Sequence, residues 1–441
     1  MRKKNESQQS VEAVHTHTHT HTHTSKFRDK RITIGVSVAI VLLIMMAIVV
    51  IQLCTKKGII KDTSVLDVES SGLVETKPKA IVDTSTWDTT KVTVYTDPVS
   101  GKKAPIPVGY VASQVTGETG IDTGLVIYEG TDPVTGTDIG VPGTPAWTAS
   151  CNRNQWVWVP VPDVSRIYDA NTRKSKLYSI TQTGRSNYNN SNYEPGIVTN
   201  YDNEQYFSKY NLPEMTRKKL LYEIETELAE TIKSIEKYGG FYIGRYETGD
   251  VTQRSGSTYF ARPVVKRMNS NINNVTWYDS YVSLRTLTSN ENIKANMIYG
   301  CLWDETLQWF RESGAKTDEE IYNSATWGNH KDSEGFTYYT NVAGSTGSKT
   351  QNSSKMTPTG ATERNKANNI YDMAGNVWEW TMESYSTNVR RYRGGKYNNT
   401  ASNYSVGHRG SSSPYSSYSN VRCACVLLHK IEILLRQNPI L

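Results

Sequence analysis

The stretch Tyr371–Thr381, YDMAGNVWEWT, decides how the rest of the chain is read, together with Arg393-Gly394-Gly395 beyond it. In an extended segment successive side chains alternate between faces, so Trp378 and Trp380 share one face and Glu379 points to the other. Asp372, upstream, supplies a natural second carboxylate. A hard cation such as Ca2+ takes carboxylates mixed with backbone carbonyls, and a loop containing Gly375 can turn those carbonyls inward.

Working outward, composition narrows the function classes. Hydrophobic residues make up 37% of the chain, and Tyr (28) far outnumbers Phe (6), so the aromatic surface is amphipathic, as in proteins that bind through exposed loops. The net charge of +6 is scattered with no basic stripe, which argues against a nucleic-acid partner. Of the cysteines, Cys54, Cys151 and Cys301 stand alone and Cys423 and Cys425 are two apart. Two residues apart in a strand is poor disulfide geometry, and no zinc-type spacing is present.

Residues 1–31 are polar and carry an alternating His-Thr tract from His15 to Thr24, read as a disordered cytoplasmic segment. Residues 32–54 read as one transmembrane helix, because no charge falls between Arg31 and Lys56 and the span matches the hydrocarbon thickness of a bilayer. A cleaved signal peptide has a shorter apolar core, and a lipoprotein anchor at Cys54 is disfavoured by the bulky Leu53 before it. The lysines and arginines before the helix bias its N-terminus inward, which places the remainder outside a bacterial plasma membrane as a single-pass protein.

Residues 55–103 read as a stalk or linker, and residues 104–428 as a folded domain with an insertion over 163–238. Two TDPV turns, in Tyr95–Ala104 and Gly130–Ile139, read as loops at the domain edge. Ile106–Tyr110, Gly124–Tyr128 and Gln155–Val161 read as strands, with Trp156 and Trp158 as packing residues. Within the insertion a helix is expected to start at Asn211 and Pro213, carry an apolar stripe of Leu221, Ile224, Leu228, Ile232 and Ile235, and stop at Gly239-Gly240. Further helices are expected over Asp279–Thr286 and Asp304–Glu312. No account suggests itself for the tail, residues 429–441.

The motifs NVWEW and RGG, followed by Arg409 and Pro414, resemble the formylglycine-generating enzyme (sulfatase-modifying factor) family, a variant of the C-type lectin fold. Trp156–Val161 (WVWVPV), Gly239–Thr248 (GGFYIGRYET), Val275–Asp279 (VTWYD) and Trp303–Arg311 (WDETLQWFR) resemble it in the same order. The resemblance implies an α+β, loop-rich, C-type lectin-like domain. It also implies a copper-binding cysteine pair soon after RGG, near Asn399 and Tyr404, yet Lys396–Arg409 (KYNNTASNYSVGHR) contains no cysteine. Amide and phenol cannot replace thiolates as soft-metal or redox groups, so neither oxidase chemistry nor copper is expected. For a structural Ca2+, the resemblance implies side-chain oxygens from Asp372 and Glu379 and backbone carbonyls from Gly375 and Val377. The alternative is an ion pair between Glu379 and a neighbour such as Arg393.

Between Tyr385 and Asn420, Asn, Tyr and Ser make up more than half of the residues, set among Arg, Gly and Pro. Tyr gives contact area at low entropic cost, and Ser and Asn give adaptable hydrogen bonds. All three also derive from AAY codons by changing an adenine, which resembles the variable proteins of diversity-generating retroelements. A polar, loop-rich tail of an ordinary lectin-like domain is the other reading. The expected ligand face comprises Tyr392, Lys396, Asn398, Asn399, Asn403, Tyr404, His408, Ser411, Ser412, Ser413, Tyr415, Ser416, Ser417 and Tyr418. Its partner is expected to be an extracellular protein or glycan, with a copper oxidase or a structural envelope protein as alternatives.

Overall fold

The computed structural model describes residues 82–137, 139–172, 174–177, 217–250, 263–269, 275–386, 389–417 and 421–430. The expected membrane helix, the His-Thr tract, most of the stalk, the start of the insertion helix and the tail beyond residue 430 lie outside them. Among the described residues no helix is long and apolar enough to cross a membrane.

The chain enters with a hairpin, β1 (Val92–Thr96) against β2 (Lys103–Pro107), in register Val92 to Pro107. The first TDPV turn closes it: the Asp97 carboxylate accepts hydrogen bonds from the Val99 and Ser100 amides at 2.8 and 3.2 Å. Here the structure corrects the sequence reading. Trp87 and Val92 are in the core at 5% and 1% exposure, so the linker expected to reach residue 103 gives way to folded chain well before it.

The main sheet is antiparallel with six strands. In chain order these are β3 (Tyr110–Ala112), β4 (Val126–Glu129), β5 (Gln155–Pro160), β6 (Gly240–Gly244), β7 (Ile293–Met297) and β12 (Cys425–His429). Their spatial order is β7-β12-β6-β5-β4-β3, so the last strand lies between two earlier ones. Trp156 and Trp158 are buried as expected, and Trp158 meets Tyr242 edge-on at 4.9 Å.

Helix α1 (Pro145–Asn152) precedes β5, and α2 (Arg217–Tyr238) is the insertion helix, with Ile224, Leu228 and Ile235 buried and Gly239 ending it in the left-handed region. Helix α3 (Trp277–Leu284) starts two residues before Asp279. A reciprocal cap explains this: Thr276 and Asp279 each bond the other's backbone amide. Helix α4 (Gly300–Glu312) begins four residues before Asp304, whose charge serves an ion pair instead of the first turn.

A second, four-stranded sheet carries the opening motif. It contains β8 (Trp378–Ser386), β9 (Val389–Arg393), β10 (Gly410–Ser412) and β11 (Val421–Cys423), in the order β10-β9-β8-β11, with only β8 and β11 parallel. The whole is a mixed helix-and-sheet, loop-rich fold.

Candidate functional site

Strand β8 divides its side chains between two environments, as alternation requires. The Trp378 and Trp380 rings both meet Tyr392 of β9, at 4.8 and 5.4 Å. Trp380 is fully buried and its indole N–H donates to the Val275 carbonyl at 3.2 Å. Tyr404 and His408 close around Trp378 at 5.9 and 5.5 Å and lie 4.8 Å from each other. Tyr415 packs on Tyr278 at 5.1 Å.

The segment from Arg391 to Ser417 sorts by residue type. Arg391, Arg393, Gly394, Gly395, Ala401, Val406, Gly407, Arg409 and Pro414 are buried. Asn398, Asn403, Tyr404, Ser411, Tyr415 and Ser417 are exposed, and Tyr392, Lys396, Asn399, His408, Ser412, Ser413 and Ser416 are half-buried. None of the expected ligand residues is buried; Tyr418 lies outside the described residues.

The buried members form a rigid frame. Arg393 bonds Asp304 at 2.7 Å and Glu383 at 3.1 Å, while Arg409 bonds Glu383 at 2.7 Å and also Asp304, closing a ring of two guanidinium and two carboxylate groups. Arg393 is therefore committed to Asp304 and Glu383, although it stands directly across from Glu379 in the register of β8 and β9. The Trp303 indole donates to the Val406 carbonyl at 3.1 Å, and the Lys331 amide to the Asn399 carbonyl at 2.8 Å. Gly395, at φ +78°, sits where a Cβ would lie 2.2 Å from the Tyr404 carbonyl oxygen, so no other residue fits.

On the opposite side of β8, Glu379 faces a cavity lined also by Glu247, Tyr246, Tyr371, Trp303 and Cys425. Glu247, just past β6, accepts hydrogen bonds from the Asn376 side chain at 2.7 Å, the Val377 amide at 3.2 Å and Arg422 at 2.9 Å. Asp372 accepts from the Gly360 amide at 2.6 Å, Asn365 at 3.2 Å and Thr359 at 3.4 Å. The Gly375 amide donates to the Gly394 carbonyl at 2.7 Å, tying the opening motif to RGG.

All three carboxylates are buried, with Arg422 as the cation beside them. Burial pushes Glu247 up to about 8 against the pull of Arg422. It raises Asp372 above the usual carboxylate range and, with Glu247 adding repulsion, raises Glu379 well above it. Such a group is either protonated or neutralised by a cation, so the residues present suit a structural Ca2+ electrostatically. Among the described residues no group of three or more His, Cys, Asp or Glu side chains is gathered to hold a metal ion, so a cation here needs carbonyl ligands as well. Glu247 was not singled out in the sequence; its place in the GRYET segment was legible, its proximity to Glu379 was not.

Residues 181–426 match the model of the sulfatase-modifying factor enzyme 1-like domain. No curated protein matches the chain. Among solved structures, Treponema denticola variable protein 1 is 15% identical, with a TM-score of 0.27 and coverage of 43% of this chain and 85% of that one. CarF is 17% identical with a TM-score of 0.26, covering 44% and 87%. PvdO from Pseudomonas aeruginosa is 16% identical with a TM-score of 0.28, covering 44% and 81%.

Proposed function

Since the chain belongs to the sulfatase-modifying factor enzyme 1-like family, matched over more than half of its length, we propose that it is a non-catalytic, membrane-anchored binding protein of the bacterial surface. Its ligand face is the polar side of the segment from Tyr392 to Tyr418, and its partner is an extracellular protein or glycan. The observation that carries this reading is the sorting of that segment: Arg, Gly, Ala, Val and Pro point inward and hold the frame, while Asn, Tyr, Ser, Lys and His stand outward. A frame of that kind tolerates change at outward positions without loss of fold, which suits a face open to sequence diversification. The cysteine-free segment Lys396–Arg409 supports a role without copper oxidation.

Purified chain is screened against arrays of glycans and extracellular proteins, alongside Tyr404→Ala. Tyr404 is 37% exposed, so its truncation is expected to lower affinity by at least about tenfold, equal to about 1.4 kcal/mol, with an unchanged melting temperature. Copper-dependent oxidation of a cysteine peptide by the same preparation would overturn the non-catalytic reading.

A further inference from the structure

Charge is unevenly spread over the chain that builds the outer face. From Ser384 to Ile431 it contains no Asp or Glu, although basic residues recur through it. Most of those cations are engaged inside the fold. Arg393 and Arg409 share Asp304 and Glu383, and Arg422 bonds Glu247. The buried Arg390 and Arg391 stack over the rings of Trp277 and Tyr385, each at 4.4 Å.

Lys396 stands apart from these. It follows Gly395 and opens a turn in which the Asn399 amide donates to the Lys396 carbonyl at 2.9 Å. The residue is half-buried, yet among the described residues its ammonium has neither an ion pair nor a hydrogen bond. Burial lowers its pKa, with no carboxylate acting against that effect. An ammonium brings three donors and no acceptor, so one that is partly stripped of water calls for an anion. A second cation lies beside the same turn. The Lys331 amide donates to the Asn399 carbonyl at 2.8 Å, and its exposed side chain also has no partner among the described residues. The adjacent Asp332 carboxylate accepts the Ala401 amide at 2.8 Å, and its charge acts on Lys349.

The surroundings of the two lysines suit a sugar. Gly395 packs against the Tyr404 carbonyl, which puts Lys396 next to Tyr404 in the fold. The Tyr404 residue is 37% exposed, and its ring is braced by Trp378 and His408. A braced, exposed ring offers a flat apolar surface to the C–H face of a pyranose. Exposed Asn398, Asn403 and Ser411 carry neutral groups that both donate and accept, as sugar hydroxyls do. On the reading of this segment as the ligand face, on which the inference rests, we propose that its partner is an acidic glycan, with Lys396 and the neighbouring Lys331 binding a carboxylate or sulfate group of the sugar.

The full chain, purified in detergent, is titrated with heparin oligosaccharides, oligogalacturonate and sialylated oligosaccharides. Their desulfated or carboxyl-reduced counterparts, which keep the sugar rings and lose the charge, serve as controls. At least one acidic glycan is expected to bind, at least about tenfold more tightly than its neutral counterpart, with affinity falling as ionic strength rises. Lys396→Gln should weaken that binding by at least about tenfold at an unchanged melting temperature. Equal affinity for charged and neutral forms overturns the inference, as does unchanged affinity in Lys396→Gln. If Lys396→Gln does not fold, Lys331→Gln must show the weakening, and unchanged affinity there overturns it equally. A neutral glycan or a protein bound at this face and lost in Tyr404→Ala, with no acidic glycan bound, overturns the inference while the binding function stands. A chain that binds no glycan and no protein defeats both.

Discussion

His330 illustrates how far a single buried residue reaches. Its Nε2 lies 2.8 Å from the Ser324 hydroxyl, its carbonyl accepts from Lys349 at 2.7 Å, and its ring fills the space that a Cβ on Gly395 would invade at 2.8 Å. Burial, with Lys349 and Arg364 adding repulsion, lowers its pKa to about 3 from the usual 6.5. The folded state therefore holds the ring neutral while the unfolded chain protonates below pH 6.5, so stability from this group is complete above 6.5 and is lost as pH falls toward 3. The slope is at most about 1.4 kcal/mol per pH unit. Chemical denaturation between pH 7 and 4 is expected to show a shallower loss for His330→Gln than for the parent chain; parallel slopes would count against this assignment. Gly394 and Gly395 are visible in the sequence as part of the RGG motif, but the histidine beneath them is not, since nothing in its neighbours signals burial.

Among the elements, α4 and the β8–β9 pair depend on one another through the ring of Asp304, Glu383, Arg393 and Arg409, whose side chains are buried. Removing one member leaves a guanidinium without compensation in a dry setting, which typically costs about 3–5 kcal/mol. Asp304→Asn should therefore destabilise strongly in denaturant melts. Glu312→Gln on the same helix, whose partner Arg166 is 21% exposed, should cost within about 1 kcal/mol. Comparable losses in the two variants would deny the ring its role. The helix itself was visible in sequence, yet its start was misplaced because an acidic residue near a helix start reads as a dipole partner. The partner that Asp304 actually has lies 89 residues away in Arg393, and no local pattern reveals it. By contrast, the alternation across β8 was fully readable, because period-two geometry is a property of the strand alone.

At the scale of the whole molecule, the folded unit reaches further toward the N-terminus than its motifs do. Strand β1 pairs with β2 along its full length, and Trp87 meets Tyr238 at 5.4 Å and bonds the Lys237 carbonyl at 3.3 Å, so the entering hairpin packs on the insertion helix. A fragment beginning at residue 104 loses Trp87 and Val92 from the core and is expected to be less stable by at least about 3 kcal/mol than one beginning at residue 82. Equal melting temperatures of the two would return residues 82–103 to the linker. The family resemblance, the α+β loop-rich class, the two-faced β8 strand and the polar identity of the outer segment are readable from the amino-acid sequence, because they depend on local chemistry and on motifs kept in order. The folded chain was needed to see that the Arg and Pro positions of that segment turn inward, that Arg393 is committed to Asp304 and Glu383, and that Glu247 and Glu379 line one cavity. Those are contacts between residues distant in the chain, and burial and charge pairing are set by what the fold brings together.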